Sequence, residues 1–337
     1  MNQELIEKVK AAIGDDKPTD YKITPTKFPD ELTTSAPELA EILKHSSFNE
    51  IAERYELHDK SAISTQRKFK SYAFQVTLGI FFATISGSLL AGLSTLIIES
   101  ESIKRIILFF FGLVSTIGGG LAAFRIYQIK FQKILEEWMT ERAKAETERL
   151  GYFNSLARHL VNKYNENIEL KLHFVCMFKR YQIEVQRLYY STSSREHKKS
   201  LEKTTTIGAI AALILATSSG IFGILGAFDF KFLPIAAIGT IGTAISILAT
   251  RREELNQDER NSERYSRTAE SLSKIVEKHD DVLQEIVKGD KEDIMIKYVD
   301  AVNDLLSLEH RQWINDISEM SAALENFEKS LTDIKKG

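Results

Sequence analysis

Long uncharged segments alternate with densely charged ones along this chain. Four segments contain no Asp, Glu, Lys, Arg or His and are rich in small and apolar residues: 71–98, 106–124, 204–228 and 232–250. A helix needs about 20 apolar residues to cross a hydrocarbon core of roughly 30 Å. The pattern therefore predicts four membrane-spanning helices in two close pairs. The alternative, four buried helices of a soluble core, seldom gives paired runs that each stop sharply at charged residues.

The charged remainder is predicted to be helical too. Apolar positions recur at intervals of four and three at Tyr265, Ala269, Leu272, Val276, His279, Leu283 and Ile286, and more briefly at Leu150, Phe153, Ala157, Leu160 and Tyr164. These stripes favour a helix bundle within the chain over a coiled coil between subunits. We expect its anchors to be Trp138, Tyr265, Leu272 and Trp313. Because alternating strand patterns are absent, the predicted fold class is all-α: an integral membrane protein with long cytoplasmic amphipathic helices.

Basic residues predict the orientation of the spans. The tight turns at 99–105 and 229–231 hold three Lys or Arg residues, whereas fifteen lie within about 15 residues of the opposite span ends. The positive-inside rule then places both termini and the middle segment in the cytoplasm, with the protein in the cell inner (plasma) membrane.

The order of segments predicts a tandem repeat. A charged helix, a span, a tight turn, a second span and another charged helix occur twice, and both copies have the same orientation. We expect an N-terminal helix and linker at 1–44, a first unit at 45–180 and a second unit at 181–337. Helix is expected to resume near Ser35 and Pro37 after the linker.

Small residues form rows along the predicted spans. The third span has Gly208, Ala212, Ala216 and Gly220 at every fourth position; the second has Ser115, Gly119 and Ala123; the first has Gly87 and Ala91. Helices associate in lipid through close backbone approach, which such rows permit. We expect these rows to be helix-packing or pore-lining faces, and the pattern leaves open whether the partner is the same chain or another subunit.

Chemistry inside the spans is limited to hydroxyls and backbone. Proton- or ion-coupled carriers usually bury ionisable residues at membrane depth, and these spans have none. Hydroxyls can line a pore, but more often they bond to their own helix or join helices together. Since no catalytic constellation, metal-ligand spacing or cofactor motif is present, no enzyme activity, metal or cofactor is expected.

Composition narrows the partners. The formal net charge of −3 gives no reason to expect nucleic acid, and the one cysteine, Cys176, lies among apolar residues typical of packing. Membrane lipid and further copies of the chain are the expected partners.

Three segments carry a family resemblance: EEWMTERAKAETERL after the first span pair, and ERYSRTAESL and LEHRQW after the second. With the paired spans, they make residues 45–337 resemble two tandem copies of the SLATT family of bacterial two-span membrane domains. The resemblance implies a pore-forming effector of a prokaryotic conflict system, gated by a nucleotide signal or a sensor protein. This chain departs from the family in carrying no appended nucleotidyltransferase, nucleotide-sensing fold or protease, so the trigger would bind the cytoplasmic helices or come from a separate protein.

Two functions follow as hypotheses. The first is an oligomeric pore-forming or channel-like effector that is gated through its cytoplasmic helices. The second is a membrane-anchored scaffold or sensor, in which the spans only tether helices that bind a partner protein.

Overall fold

The computed structural model describes residues 2–14, 18, 20–94, 101–227, 233–289 and 293–334, with side chains left out at 2, 91–94, 219, 222–227, 233–238, 240, 251, 254–256 and 316–334. All regular elements in these ranges are helices. The predicted all-α class is therefore confirmed for the described part of the chain.

Twelve α-helices are described: α1 Asn2–Ile13, α2 Phe28–Leu32, α3 Pro37–Leu43, α4 Ser46–Ser94, α5 Glu101–Phe131, α6 Ile134–Lys163, α7 Ile168–Phe178, α8 Glu184–Ala227, α9 Leu233–Asn256, α10 Asp258–Glu277, α11 His279–Val287 and α12 Ile294–Ile334. A 3₁₀ turn at Pro25–Lys27 precedes α2, and a π-helical turn at Lys179–Ile183 joins α7 to α8.

Among the described residues, two helices are long and apolar enough to cross a membrane. They are Ser46–Leu90 within α4 and Glu101–Phe131, which is α5; a shorter apolar stretch, Ile241–Thr250, lies in α9. Only 11% of the most apolar stretch of α5 is buried within the structure. Phe109 is 71% exposed and Ile106 is 68% exposed. A core helix of a soluble protein would bury such side chains, so their exposure suits contact with lipid.

The other predicted spans fall on helices as well. The third predicted span lies in α8 and the fourth in α9, while residues 95–98, 228 and 232 of the predicted spans lie outside the described residues.

The chain divides into two compact units. The bundle unit contains residues 1–64, 137–196 and 260–337, and the span unit contains residues 65–136 and 197–259. This division cuts across the sequential repeat that the sequence predicts, and the sequence boundaries at 44 and 180 stay a prediction.

The bundle unit has an aromatic core. Phe153 and Phe178 are fully buried, and their ring centroids lie 5.2 Å apart. Phe28, from the predicted N-terminal linker, contacts Phe153 at 6.3 Å and Tyr181 at 4.6 Å. The N-terminal segment therefore packs in the same core as α6 and α7. Its α3 begins at Pro37 as expected, but Ala36, not Ser35, occupies the N-cap.

Glycine brings the two helices of the first hairpin into backbone contact. A Cβ atom added to Gly118 of α5 would lie 2.7 Å from the carbonyl oxygen of Gly79 and 3.1 Å from the amide nitrogen of Ala83. No real side chain tolerates the shorter distance. The small residues therefore set how close α4 and α5 lie.

The second hairpin has the same contact. A Cβ atom added to Gly242 of α9 would lie 2.9 Å from the carbonyl oxygen of Ala211 and 3.0 Å from the amide nitrogen of Leu215. Again one glycine meets a carbonyl and the amide four residues later. The two hairpins thus use one packing geometry.

The breaks after the hairpins repeat at the same spacing. Lys133 lies in the break after α5 and Gln257 in the break after α9, fifteen positions after Gly118 and Gly242 respectively. Both residues have a positive φ, 49° and 47°, which is uncommon for residues other than glycine. The number of residues between the close helix contact and the following helix break is therefore the same in both hairpins.

The contact at Gly118 gives a stability test. We expect Gly118→Ala to lower the thermal midpoint of the detergent-solubilised protein, since overpacking of this kind costs about 1–3 kcal/mol. The matched control is Gly120→Ala on the same helix, where an added Cβ meets no atom within 4 Å. Equal midpoints for the two variants, measured by circular dichroism, would contradict the close approach.

Candidate functional site

Among the described residues, none packs closely against the predicted small-residue face of the third span. Ala212, Ala216 and Gly220 are exposed, and a Cβ added to Gly208 or Gly220 would meet no atom within 4 Å. The adjacent row of α8, which includes Ala211, packs against α9 instead. A role for the exposed row between subunits therefore stays a prediction.

Predicted small residues of the first hairpin lie mostly between its helices. Ser115 of α5 donates a hydrogen bond to the carbonyl oxygen of Ala83 in α4 at 3.1 Å. A Cβ added to Gly87 would lie 3.6 Å from the Ser115 Oγ, and one added to Gly119 would lie 4.0 Å from the Ala83 Cβ. Ala123 is exposed, and the side chain of Ala91 lies outside what the structure describes.

Apart from Ser115, several hydroxyls in the predicted spans bond to their own helices. Thr84 donates to the carbonyl oxygen of Ile80 at 2.8 Å, and Thr116 donates to that of Gly112 at 2.9 Å. The same backbone bond, to the carbonyl four residues earlier, is made by Thr217, Ser218 and Thr243. Each of these bonds uses the hydroxyl proton, so the hydroxyl has no proton left to donate to water in a pathway.

A small cavity lies between α4 and α9 in the span unit. Its volume is about 10 Å³, close to the minimum that a single water molecule needs. It is lined by Thr77, Ile80, Phe81, Thr84, Ala244, Ile247 and Leu248. Thr77 and Thr84 bond to their own helix, so the lining presents mainly apolar groups.

The predicted bundle anchors meet inside the bundle unit. Trp138 of α6 and Trp313 of α12 make an edge-to-face contact at 5.4 Å, and His310 stacks on Trp313 at 5.6 Å. Tyr265 contacts Tyr190 at 5.5 Å. Leu272 is fully buried, as is most of the apolar stripe around it. The stripe packs within the chain.

His279, which lies on that stripe, is enclosed by core residues. Its Nε2 lies 4.0 Å from the Cys176 Sγ, and its Nδ1 lies 3.3 Å from the Tyr298 hydroxyl oxygen. Both Cys176 and His279 are buried. Among the described residues, no group of three or more His, Cys, Asp or Glu side chains is placed to hold a metal ion.

A buried ion network lies beside these anchors. On α6, Glu146 lies 2.5 Å from the Arg142 Nη2 and also pairs with Arg149. Arg142 reaches Asp59 of α4 at 3.5 Å. Burial favours the neutral form of Glu146, but Arg142 and Arg149 outweigh burial and lower its pKa. The carboxylate therefore stays charged and pairs with both arginines, while Asp59 supplies a second negative charge to Arg142.

The network has a second part on the other helices. Arg264 of α10 lies 3.2 Å from Glu309 of α12, and the Tyr190 hydroxyl of α8 donates to Glu309 at 2.8 Å. Burial raises the pKa of Glu309 despite Arg264, and the nearby charge of Glu146 acts in the same direction. We refer to Asp59, Arg142, Glu146, Arg149, Tyr190, Arg264 and Glu309 together as the ion network.

Sequence reasoning missed this network. Charges at 142, 146 and 149 follow the three- and four-residue spacing of one helix face, but such runs usually lie on a solvated surface. One feature of the sequence does point to the network: the charges at 142, 146 and 149 lie between Trp138 and Leu150, which are both predicted to be packing residues. The network links α4 and α8, which continue into predicted spans, with α6, α10 and α12.

Glu146 gives a test of the ion network. We expect Glu146→Gln to destabilise the protein by about 3–5 kcal/mol, because it removes the buried carboxylate that pairs with Arg142 and with the buried Arg149. The matched control is Glu148→Gln, which breaks a more exposed pair with Arg54 at 2.9 Å and should cost about 0–1 kcal/mol. Thermal unfolding of both variants measures the difference, and equal losses would contradict the network.

The pH dependence of Glu146 has a defined sign. Because its folded-state pKa is lowered from 4.5, its contribution is complete above that value and is lost as pH falls through the lowered pKa. We expect wild-type protein to lose more thermal stability below about pH 4.5 than Glu146→Gln does. Parallel pH profiles for the two proteins would contradict this assignment.

Comparison with known proteins identifies the second half of the chain. Residues 178–313 match the family model of the SMODS and SLOG-associating 2TM effector domain 1, SLATT_1. The match begins just before the π-helical turn and ends at Trp313. No curated protein and no solved structure matches the chain. Residues 178–313 are therefore similar to the SLATT family of two-span effector domains.

Proposed function

We propose that this protein is an oligomeric pore-forming or channel-like membrane effector of a prokaryotic conflict system, gated through its cytoplasmic helices. The observation that carries the proposal is the match of residues 178–313 to a two-span effector domain. The matched family is one of two-span membrane effector domains, which supports a membrane location and an effector role for this chain. Pore formation and gating are the further steps proposed here.

The first hairpin is proposed to be a second, diverged SLATT-like unit. Gly79 and Ala211 supply equivalent carbonyl contacts, and Gly118 and Gly242 supply equivalent glycines. The spacing from glycine to helix break is the same in both halves. The equivalent carbonyl contacts, the equivalent glycines and the equal spacing to the helix break together support a duplicated unit. The family model itself matches one copy.

The proposed topology has four spans, with both termini and the middle segment in the cytoplasm. Basic residues flank the outer ends of both hairpins and are few in the turns. The exposed apolar side chains of α5 support a lipid environment. An inner-membrane location follows from the bacterial family.

A conducting pathway would form between subunits. The cavity between α4 and α9 has room for about one water molecule, and the described hydroxyls bond largely to their own helices. Meanwhile a Cβ added at Gly208 or Gly220 would meet no atom of the described residues within 4 Å, which leaves this row available for packing. Close packing of this row against another copy would join subunits around a shared pathway.

The ion network is the proposed coupling element of the gate. It includes residues from the helices before and after both hairpins. Glu146, Arg149, Arg264 and Glu309 are buried, so a change of partner there costs several kcal/mol. A nucleotide signal or a sensor protein that binds the bundle would act by shifting these helices. The proposed partners are therefore membrane lipid, further copies of the chain and one such trigger.

A membrane-anchored scaffold is the second candidate. The specific observation in its favour is that span hydroxyls are occupied by backbone bonds, as expected of helices that only anchor. Under this hypothesis the bundle binds a partner protein and the spans conduct nothing.

Ion flux separates the two candidates. We expect purified full-length protein, reconstituted in K⁺-loaded vesicles, to release K⁺ at a rate that rises more steeply than linearly with the protein-to-lipid ratio. Glu146→Gln, which unlocks the ion network, should increase the rate. If neither protein releases K⁺ at any ratio, the scaffold replaces the pore.

Neighbouring residues of α8 provide the assembly test. Ala212→Leu should reduce both subunit number in detergent and K⁺ release, because it fills the exposed small-residue row. Leu213→Ala is the matched control, since Leu213 is exposed on the adjacent face and should face lipid. Equal effects of the two substitutions on subunit number would mean that the row is not an interface.

A further inference from the structure

Four buried polar side chains of the bundle unit form what we call the polar layer: Arg149, Gln182, Gln186 and Asn303. Gln182 is fully buried, and the other three are at least nine-tenths buried. They come from α6, the π-helical turn, α8 and α12. Uncharged amides of this kind seldom occupy a core without hydrogen-bond partners.

Contacts between α6 and α12 place two members at one level. The two helices are antiparallel, because Trp138 meets Trp313 while Asn154, four turns further on, meets Asp300. Interpolation between these contacts puts Arg149 opposite Asn303.

Contacts between α12 and the segment from α7 to α8 place the other two. These elements run parallel, because Phe178 contacts Tyr298 at 6.0 Å and Tyr190 contacts Glu309 at 2.8 Å. The same interpolation puts Asn303 between the levels of the two glutamines. All four polar-layer residues therefore lie within about two helical turns of one another.

Several atoms of the layer have no hydrogen-bond partner in the protein. Among the described residues these are the Arg149 Nε, the Gln182 Nε2 and Oε1, the Gln186 Oε1 and the Asn303 Oδ1. Arg149 still pairs with Glu146 through its Nη2. These five atoms of the polar layer are two hydrogen-bond donors and three hydrogen-bond acceptors.

Leaving these atoms unsatisfied would be incompatible with a stable fold. Each unsatisfied buried group lowers the folding equilibrium constant by about tenfold or more. Five such groups would lower it by about 10⁵, which is comparable with the whole folding equilibrium constant of many domains, about 10³–10⁸. Something other than protein must therefore bond to them.

The π-helical turn adds an independent sign of a built site. The Glu184 N–H bonds to the carbonyl oxygen of Lys179, five residues earlier, so the regular α-helical ladder is interrupted beside Gln182. Such turns are rare and frequently occur at functional sites. Here the interruption lies at the level of the polar layer.

We propose that the polar layer is a binding site for internal water molecules, two or more, which bridge the amides of the π-helical turn and α8 to Arg149 and Asn303. Water supplies two donors and accepts two hydrogen bonds, which matches a mixed set of donors and acceptors. An anion is disfavoured because the Arg149 charge is already neutralised by Glu146. A hydrated layer also explains why glutamines occupy a core otherwise built of Phe, Leu and Ile.

Structure determination of the full-length protein, at a resolution that shows ordered water, tests the site directly. We expect separate density peaks about 2.7–3.2 Å from the Gln182 amide and the Asn303 Oδ1. Continuous density for a larger molecule, or direct contacts among the four side chains, would overturn the water assignment.

Substitution gives an energetic test. We expect Gln182→Leu to lower the thermal midpoint and to reduce the folding equilibrium constant about tenfold or more. The bridging water would lose its hydrogen bonds to the Gln182 amide, and the other polar groups of the layer would then be bridged less well. Met177→Leu, a similar-sized exchange at a buried core position one turn earlier, is the control and should change the midpoint little. A higher midpoint for Gln182→Leu than for wild type would mean that the layer is dry, and would overturn the proposal.

Discussion

Contact of backbone with backbone inside each hairpin is the interaction on which the span unit depends. Lipid tails are as apolar as leucine, so burial of apolar side chains does not drive helices together in a bilayer. Gly118 against Gly79 and Gly242 against Ala211 provide close packing instead. These contacts use only one face of each helix, so other faces can meet lipid or another subunit, and the row at Gly208–Gly220 lies on one such face.

The bundle unit is held by different forces. Its aromatic and aliphatic core follows ordinary apolar burial, but charged residues are enclosed within it and must be paired. Glu146 between two arginines and Glu309 beside Arg264 satisfy that requirement. The cost of breaking such pairs makes the arrangement of the surrounding helices specific, and those helices include the ones that lead into the spans. In an effector that changes conformation, movement of these helices would change the ion pairs and so the relative stability of the two conformations.

Periodicity predicted much of this architecture, because long uncharged runs and apolar stripes at helical spacing both indicate helices, and the stripes also indicate which face of a helix is buried. The helical class, the burial of Leu272 and the packing role of Trp138 and Trp313 are visible in that pattern. Periodicity could not distinguish Ala211 from Ala212, because both are small and only the position of α9 decides which one packs. It also assigned residues such as Phe28 to a linker, because a segment with several prolines and polar residues gives no regular stripe. Charges in α6 were equally ambiguous, since burial of a paired charge depends on partners from distant helices.

The central claim is that the chain crosses a bilayer four times as two hairpins of the same orientation. It is tested most directly by single-cysteine labelling in intact cells, on a Cys176→Ser background, with a membrane-impermeant thiol reagent. Ser102→Cys, at the start of α5, should be labelled from outside, whereas Lys8→Cys and Ser155→Cys should be labelled only after the membrane is opened; all three positions are exposed in the structure. Labelling of Ser155→Cys in intact cells while Lys8→Cys stays protected would contradict the account.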